Sequence, residues 1–380
     1  MTNTAPSTTL TGRTGRSSLF ELALGAIREQ RAVLWAALPF IAGSYVVGPF
    51  VGWPGAVGAS FWIAQATFMG MIAVFWVVVR HRFAADLKPQ GARAAYPVAW
   101  RRAREATFTN ERLAAYAVML IVLPTVVACY TGWKTWLAAT LPFRWDTTLM
   151  RLDRALHFGT DPWRLLQPLL GREWTTDVMS LVYESGWAAT LHGVITWQAL
   201  RPPSADRNRF LVASVLAWPL VGNLLAAAFM SAGPCYYGFV VAGANPYAEL
   251  MAHVNATNDL TRALQGYLWR SHASGELEVI GGGISAMPSM HLVMVTLAAI
   301  PLWRLGRRGR VLAAAVVMST VVGSVHLGWH YAVDGYAGIL CAVGIWWLLG
   351  RVFRRSPASP DRDRVPAADP ADRRMAAPDA

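Results

Sequence analysis

The chain has 380 residues, 54% of them hydrophobic and only 15% charged, which is too apolar for an ordinary soluble domain. A net charge of +12 raises nucleic acid as a partner, but the 34 Lys and Arg are spread over short loops between apolar stretches, so the charge reports membrane topology instead. Three cysteines, Cys129, Cys235 and Cys341, have neither a metal-ligand spacing nor the even number of a disulfide framework; single buried thiols are the simpler reading, with a Cys129–Cys235 bridge as the alternative.

The first thirty residues lack an apolar core followed by a small-residue cleavage site, so the first span is read as a retained anchor. Apolar stretches near the spanning length of roughly 17 to 25 residues follow at about 33–53, 57–79, 113–133, 176–199, 209–231, 288–304, 310–328 and 334–352. They predict an all-α fold, a polytopic membrane helix bundle with about eight transmembrane helices. Trp53, Trp133, Trp174, Trp303 and Trp329 lie near segment ends, as an interfacial aromatic belt requires. Residues 80–112 form a basic loop suited to a helix on anionic headgroups. Residues 143–171 mix Trp145, Leu149, Leu152, Leu156, Trp163 and Leu166 with charges, the pattern of amphipathic helices lying on the opposite leaflet. The long loop 232–287 carries a polar helix candidate and a Gly281, Gly282, Gly283, Ile284, Ser285 run; loops of that length in a compact fold are usually functional. Residues 356–380, rich in Pro, Ala, Asp and Arg, read as a disordered tail.

An even number of spans puts both termini on one side. The flanks and loops on that side hold 26 of the 34 Lys and Arg, so the termini are expected in the cytoplasm of a bacterial-type inner membrane. The same count puts the two most distinctive segments at the extracytoplasmic surface.

Those segments are 286–291, reading Ala-Met-Pro-Ser-Met-His, and 324–334, reading Ser-Val-His-Leu-Gly-Trp-His-Tyr-Ala-Val-Asp. His330 and Asp334 at i and i+4 share one helix face, where the carboxylate can hold one imidazole tautomer and leave the other nitrogen free. A second histidine, His291, opens another apolar segment; together they suggest a nucleophile and a general acid. His253 and His272 read as exposed loop residues. His326 either shapes a phosphate pocket or makes a structural hydrogen bond, and Tyr236 and Tyr237 either line a headgroup pocket or anchor the interface. Glu184, His192 and Asn223 lie inside apolar segments, where polar groups are costly; they read as a buried pair and helix glue, or as the polar pathway of a transporter, which is the competing class.

Pro288, Ser289, Met290 and His291, followed by Gly328, Trp329, His330, Tyr331 and Asp334, resemble the second and third signature motifs of the type 2 phosphatidic acid phosphatase superfamily, in the variant of its inositol phosphorylceramide synthase-like branch. The resemblance covers 286–338 and implies a six-helix catalytic core. By it, His330 attacks phosphorus, Asp334 orients it, and His291 protonates the leaving oxygen and then activates water or an alcohol. It implies a phosphorylated lipid as substrate, with no metal, cofactor or nucleic acid required. The layout becomes 1–32 a cytoplasmic segment, 33–112 a two-helix membrane extension with a basic loop, 113–352 the catalytic membrane domain, and 353–380 the tail. Two departures stand out: Ser324 replaces an arginine six residues before the nucleophilic histidine, and the lysine and arginine-proline motif is absent from the expected outer loop. Phosphoryl charge must then be met by other groups: backbone N–H groups of 281–285, the helix start at Ser289, Arg270, Arg262 or Lys134. Gly283, Ser285, Ser289, His326, Tyr237 and Arg270 are the substrate-binding candidates.

Overall fold

The structure, a computed structural model, describes residues 18–86, 101, 105 and 107–354. The N-terminal seventeen residues, most of the basic loop and the tail from 355 onward lie outside the described residues. Among those described, all regular structure is helical.

Helix α1 (Leu19–Glu29) opens with a capping box, in which Glu21 N–H donates to Ser18 Oγ and Ser18 N–H to the Glu21 carboxylate. It runs into α2 (Arg31–Val51), which stops where Gly52 takes φ 74°. Next come α3 (Ala59–Asp86) and the 31-residue α4 (Asn110–Thr140), about 46 Å long and so longer than the roughly 30 Å hydrocarbon core. The amphipathic pair α5 (Asp146–Leu156) and α6 (Pro162–Leu170) follows. Helix α7 (Glu173–Leu181) continues through a π-helical segment, Val182–Gly186, into α8 (Trp187–Ala199). Helix α9 (Ala205–Ala217) likewise passes into a π-helical segment, Trp218–Leu225. The 232–287 stretch carries α10 (Ala248–Thr257) and α11 (Asp259–Ala273), so the long loop is largely helical. The chain closes with α12 (Met290–Trp303), α13 (Gly306–His326) and α14 (Ala332–Arg354).

Each of the eight apolar stretches coincides with a helix. Five segments, Arg31–Val51, Asn110–Thr140, Ala205–Ala228, Gly306–His326 and Ala332–Phe353, are long and apolar enough to cross a membrane, and Ala59–Phe75 and Met290–Trp303 are shorter apolar helices. The 176–199 and 209–231 stretches each contain a π-helical segment, and 176–199 is not among these apolar helices.

One buried cluster joins the bundle, with Met119 and Leu123 of α4, Leu191 of α8, Phe210 and Leu211 of α9, and Val293, Met294 and Leu297 of α12. Lipid tails are as apolar as these side chains, so close packing and polar links rather than water exclusion hold such helices together. Asn223 Nδ2 donating to the Tyr130 carbonyl at 3.2 Å is one such link. A second cluster, of Leu149, Trp163, Tyr237, Tyr247, Leu250, Val254 and Tyr331, binds the amphipathic pair to the α13–α14 loop. Residues 143–171 thus pack on the protein by one face, with Leu152, Leu156, Phe158, Leu165 and Leu169 left exposed.

Among the described residues, the arginines at the start of α9 and the end of α12 lie at one end of the bundle. Arg207, fully buried, pairs with Glu29 at 2.8 Å, Arg304 pairs with Asp206, and Arg209 stacks on Trp346. His291 and Arg304 stand at opposite ends of α12, about 20 Å apart along its axis. Trp53 and Trp133 stack on each other at 5.6 Å, Trp53 being buried, so they serve packing more than an aromatic belt.

Candidate active site

Helix α13 ends at His326, and the reversal into α14 turns on Gly328, whose φ of 75° suits a residue without Cβ. The Gly328 carbonyl accepts from Cys235 N–H at 2.8 Å, and His330 N–H donates back to Ser324 O at 3.1 Å. His330 therefore lies in the loop and only Asp334 lies in the first turn of α14; the expected sharing of one helix face is corrected accordingly. The pairing survives because a helix start turns its first residues back toward the preceding loop. Asp334 Oδ2 accepts from Tyr331 N–H at 3.0 Å and stands 3.4 Å from His330 Nδ1, an ion-pair distance rather than a hydrogen bond. The Asp334 carbonyl accepts Ser289 N–H at 3.0 Å, which ties the two motifs together.

Two carboxylates not singled out from sequence brace this loop. Asp146 and Asp153, seven residues apart on one face of α5, are both buried. Asp146 accepts from Ala232 and Gly233 N–H and from the Tyr331 hydroxyl, the last at 2.8 Å. Asp153 accepts from Ala332 and Val333 N–H, each at 2.9 Å, and so caps α14 from a neighbouring helix. Burial pushes the Asp146 carboxyl above its ordinary range against those hydrogen bonds, and pushes Asp153 up to about 6. The seven-residue spacing was the available signal.

His291 is the second residue of α12. Its ring lies 6.2 Å from that of His330, centroid to centroid, a gap one phosphoryl group spans. Tyr183 and Trp187 flank it with centroids at 4.8 and 4.6 Å, and the Tyr183 hydroxyl is 3.3 Å from His291 Nδ1. Glu184, next in sequence, accepts from Trp329 Nε1 at 2.8 Å, one residue before His330.

Both histidines open onto a cavity of about 360 Å³ whose lining is mostly apolar, between α3, α4, α8 and the π-helical part of α9. Trp62, Gln65 and Ala66 of α3 form one wall, and Leu123, Val127, Trp187 and Leu191 form others. Along α8 it runs from Trp187 to Thr196, about 14 Å and so close to one leaflet's depth. Tyr116 and Thr196, hydrogen-bonded at 3.0 Å, lie at its far end.

The sequence candidates divide around this cavity. Gly283 and Ser285 line it beside His291 and His330, and the buried Ser285 hydroxyl has no hydrogen-bond partner. Ser289 is buried outside the lining. His326 is held by Thr176 at 3.1 Å, behind the loop. Tyr237 is buried in the second cluster, and Arg270 is exposed on α11. Arg262 pairs with Asp259. Of the basic candidates, Lys134 is the single Lys or Arg in the described lining. Glu184 and His192 line the cavity without pairing with each other, since His192 Nδ1 is bonded to Ala188 O at 2.8 Å. Asn223 lies outside it. His253 is half-buried, its Nε2 3.2 Å from the Thr176 hydroxyl, and half-buried His272 packs against Phe143 and Trp269; neither is the freely exposed residue expected. The three cysteines are free. Among the described residues no group of three or more His, Cys, Asp or Glu is arranged to hold a metal ion.

A family model described as PAP2 superfamily matches residues 147–348, which include His291, His330 and Asp334. No curated protein and no solved structure matches the chain.

Proposed function

This chain belongs to the PAP2 superfamily, and on that premise we propose that it is a lipid phosphatase or phosphotransferase that works through a phosphohistidine at the extracytoplasmic face of a cytoplasmic membrane. The observation that carries the reading is the meeting of His330, its Asp334 partner and His291 at the mouth of one apolar cavity. The substrate's phosphate lies between the two imidazoles and its hydrocarbon tail in the cavity. His330 Nε2 attacks phosphorus while Asp334 steadies the cation forming at Nδ1. The bond from phosphorus to the leaving oxygen breaks, and that oxygen takes the proton from His291 Nε2. In the second displacement His291 removes the acceptor's proton, the acceptor oxygen bonds to phosphorus, and the N–P electron pair returns to His330.

Transfer between diesters, as in the inositol phosphorylceramide synthase-like branch, is the finer assignment. It rests on charge: Lys134 is the single Lys or Arg side chain lining the described cavity, and Ser324 is buried behind the loop with its hydroxyl bonded to Val321 O. A phosphodiester carries one negative charge where a monoester carries up to two, and one lysine matches the former. The excess of basic residues at the opposite end of α12 supports an extracytoplasmic site. The test is purified protein in liposomes with lipid phosphates of several headgroups, with and without inositol, products being identified by mass. Turnover abolished in His330→Ala is expected; turnover untouched by that change, or none with any lipid phosphate, refutes the reading.

A further inference from the structure

We propose that the π-helical segment Val182–Gly186 is the positioning element for both histidines, with the Tyr183 hydroxyl setting the tautomer of His291; this rests on the reaction assigned above. Single π-turns inside α-helices occur frequently at functional sites. Here adjacent Tyr183 and Glu184 of the segment both line the cavity, with Trp187 following. Tyr183 and Trp187 enclose the His291 ring, while Glu184 holds Trp329 and through it the residue before His330. Tyr183 is buried and seated by Gly323 of α13, where an added Cβ would lie 3.2 Å from Tyr183 Cβ and 3.3 Å from its ring.

The two histidines have unlike partners, and the difference matches their tasks. His330 becomes cationic when its Nε2 bonds to phosphorus, and a carboxylate beside Nδ1 stabilises that charge. His291 must release a proton in the first displacement and regain one in the second. A carboxylate on its Nδ1 would hold the imidazolium and oppose release. The Tyr183 phenol oxygen stands 3.3 Å from Nδ1, and in the proposed role it accepts Nδ1–H, aims Nε2 at phosphorus and adds no such bias. The proton balance closes on Nε2 alone: its N–H bond breaks as the leaving O–H forms, then re-forms with the acceptor's proton. Nδ1–H is kept throughout, and Tyr183 neither gains nor loses a proton. Tyr183 is thus a positioning residue.

Tyr183→Phe removes one oxygen and keeps the ring in place. A lipid alkyl phosphate ester, whose alkoxide leaves only with a proton, is compared with the matching nitrophenyl ester, whose leaving group needs none. The variant should lose about 100-fold in kcat on the alkyl ester with KM unchanged, while its burst of nitrophenol stays within about threefold of the unmodified protein. It should also accumulate phosphoenzyme, because the second displacement lacks an oriented base, and His291→Ala should share this pattern while His330→Ala loses both activities. Equal losses on the two esters, or no loss on either, overturn the role of Tyr183 and leave the reaction standing. Turnover that survives His330→Ala removes the reaction itself.

Discussion

Replacing Asp153 by Asn should alter how stability depends on pH more than it alters stability at neutrality. The carboxyl is 2% exposed and accepts the first two N–H groups of α14, and burial raises it from an ordinary 3.8 to about 6. Because the folded-state value is the higher one, the folded chain retains a proton that the unfolded chain has released. The stabilisation from this group is therefore complete below about pH 4 and is lost as pH rises through about 6. Roughly two pKa units correspond to about 3 kcal/mol. Asparagine cannot ionise, so this dependence disappears, and the loss of one acceptor leaves a buried N–H unpaired at about 1–3 kcal/mol. The variant should be the less stable protein at pH 4, with the gap closing toward pH 7. Unfolding of both proteins in detergent, followed by tryptophan fluorescence at pH 4, 5, 6 and 7, gives the difference in which other carboxyls cancel. A gap that is constant, or that widens as pH rises, would show that Asp153 is not held as a protonated group at low pH.

Glu184→Gln keeps an acceptor for Trp329 Nε1 and should retain turnover within about twofold, whereas Glu184→Ala should lose about tenfold in kcat through the freed loop; steady-state kinetics separates the two. Gly283→Ala places a Cβ 2.6 Å from the Lys134 carbonyl carbon at a φ of 79°, so it should destabilise by about 2 kcal/mol or more and raise KM for phosphate esters. Unfolding and kinetics on one preparation check both effects, and an unchanged protein would contradict the close approach. Leu191→Trp fills the cavity one turn beyond Trp187 and should cut turnover of long-chain lipid phosphates by about tenfold, about 1.4 kcal/mol, while sparing short-chain ones. A chain-length series measures this, and a uniform loss at every length counts against a tail in the cavity.

The bundle was legible because apolar length is a one-dimensional property: each stretch found by composition coincides with a helix. His291, His330 and Asp334 stood out by residue type and spacing, and the structure brings the two histidines to one cavity with Asp334 3.4 Å from His330. The π-helical turns were not legible, because one extra residue per turn leaves no compositional trace in an apolar run. Tyr183 went unnoticed beside the more conspicuous Glu184. Asp146 and Asp153 were hidden by amphipathicity itself: charges on a surface helix read as its wet face, and only the packing of α5 over the α13–α14 loop reveals that two of them point inward. Lys134 stood among several cations until the cavity separated it from Arg262 and Arg270.

Trp62, Gln65 and Ala66 belong to α3, well ahead of the stretch 147–348 that holds His291, His330 and Asp334. Under the proposed function, part of the wall that meets the lipid tail therefore lies outside the matched stretch, while Trp187 and Leu191 of the same cavity lie within it. On that reading, changes in α3 shift which lipids are admitted without touching the matched stretch, and a chimera carrying a foreign α3 should change its tail preference while keeping the recipient's reaction.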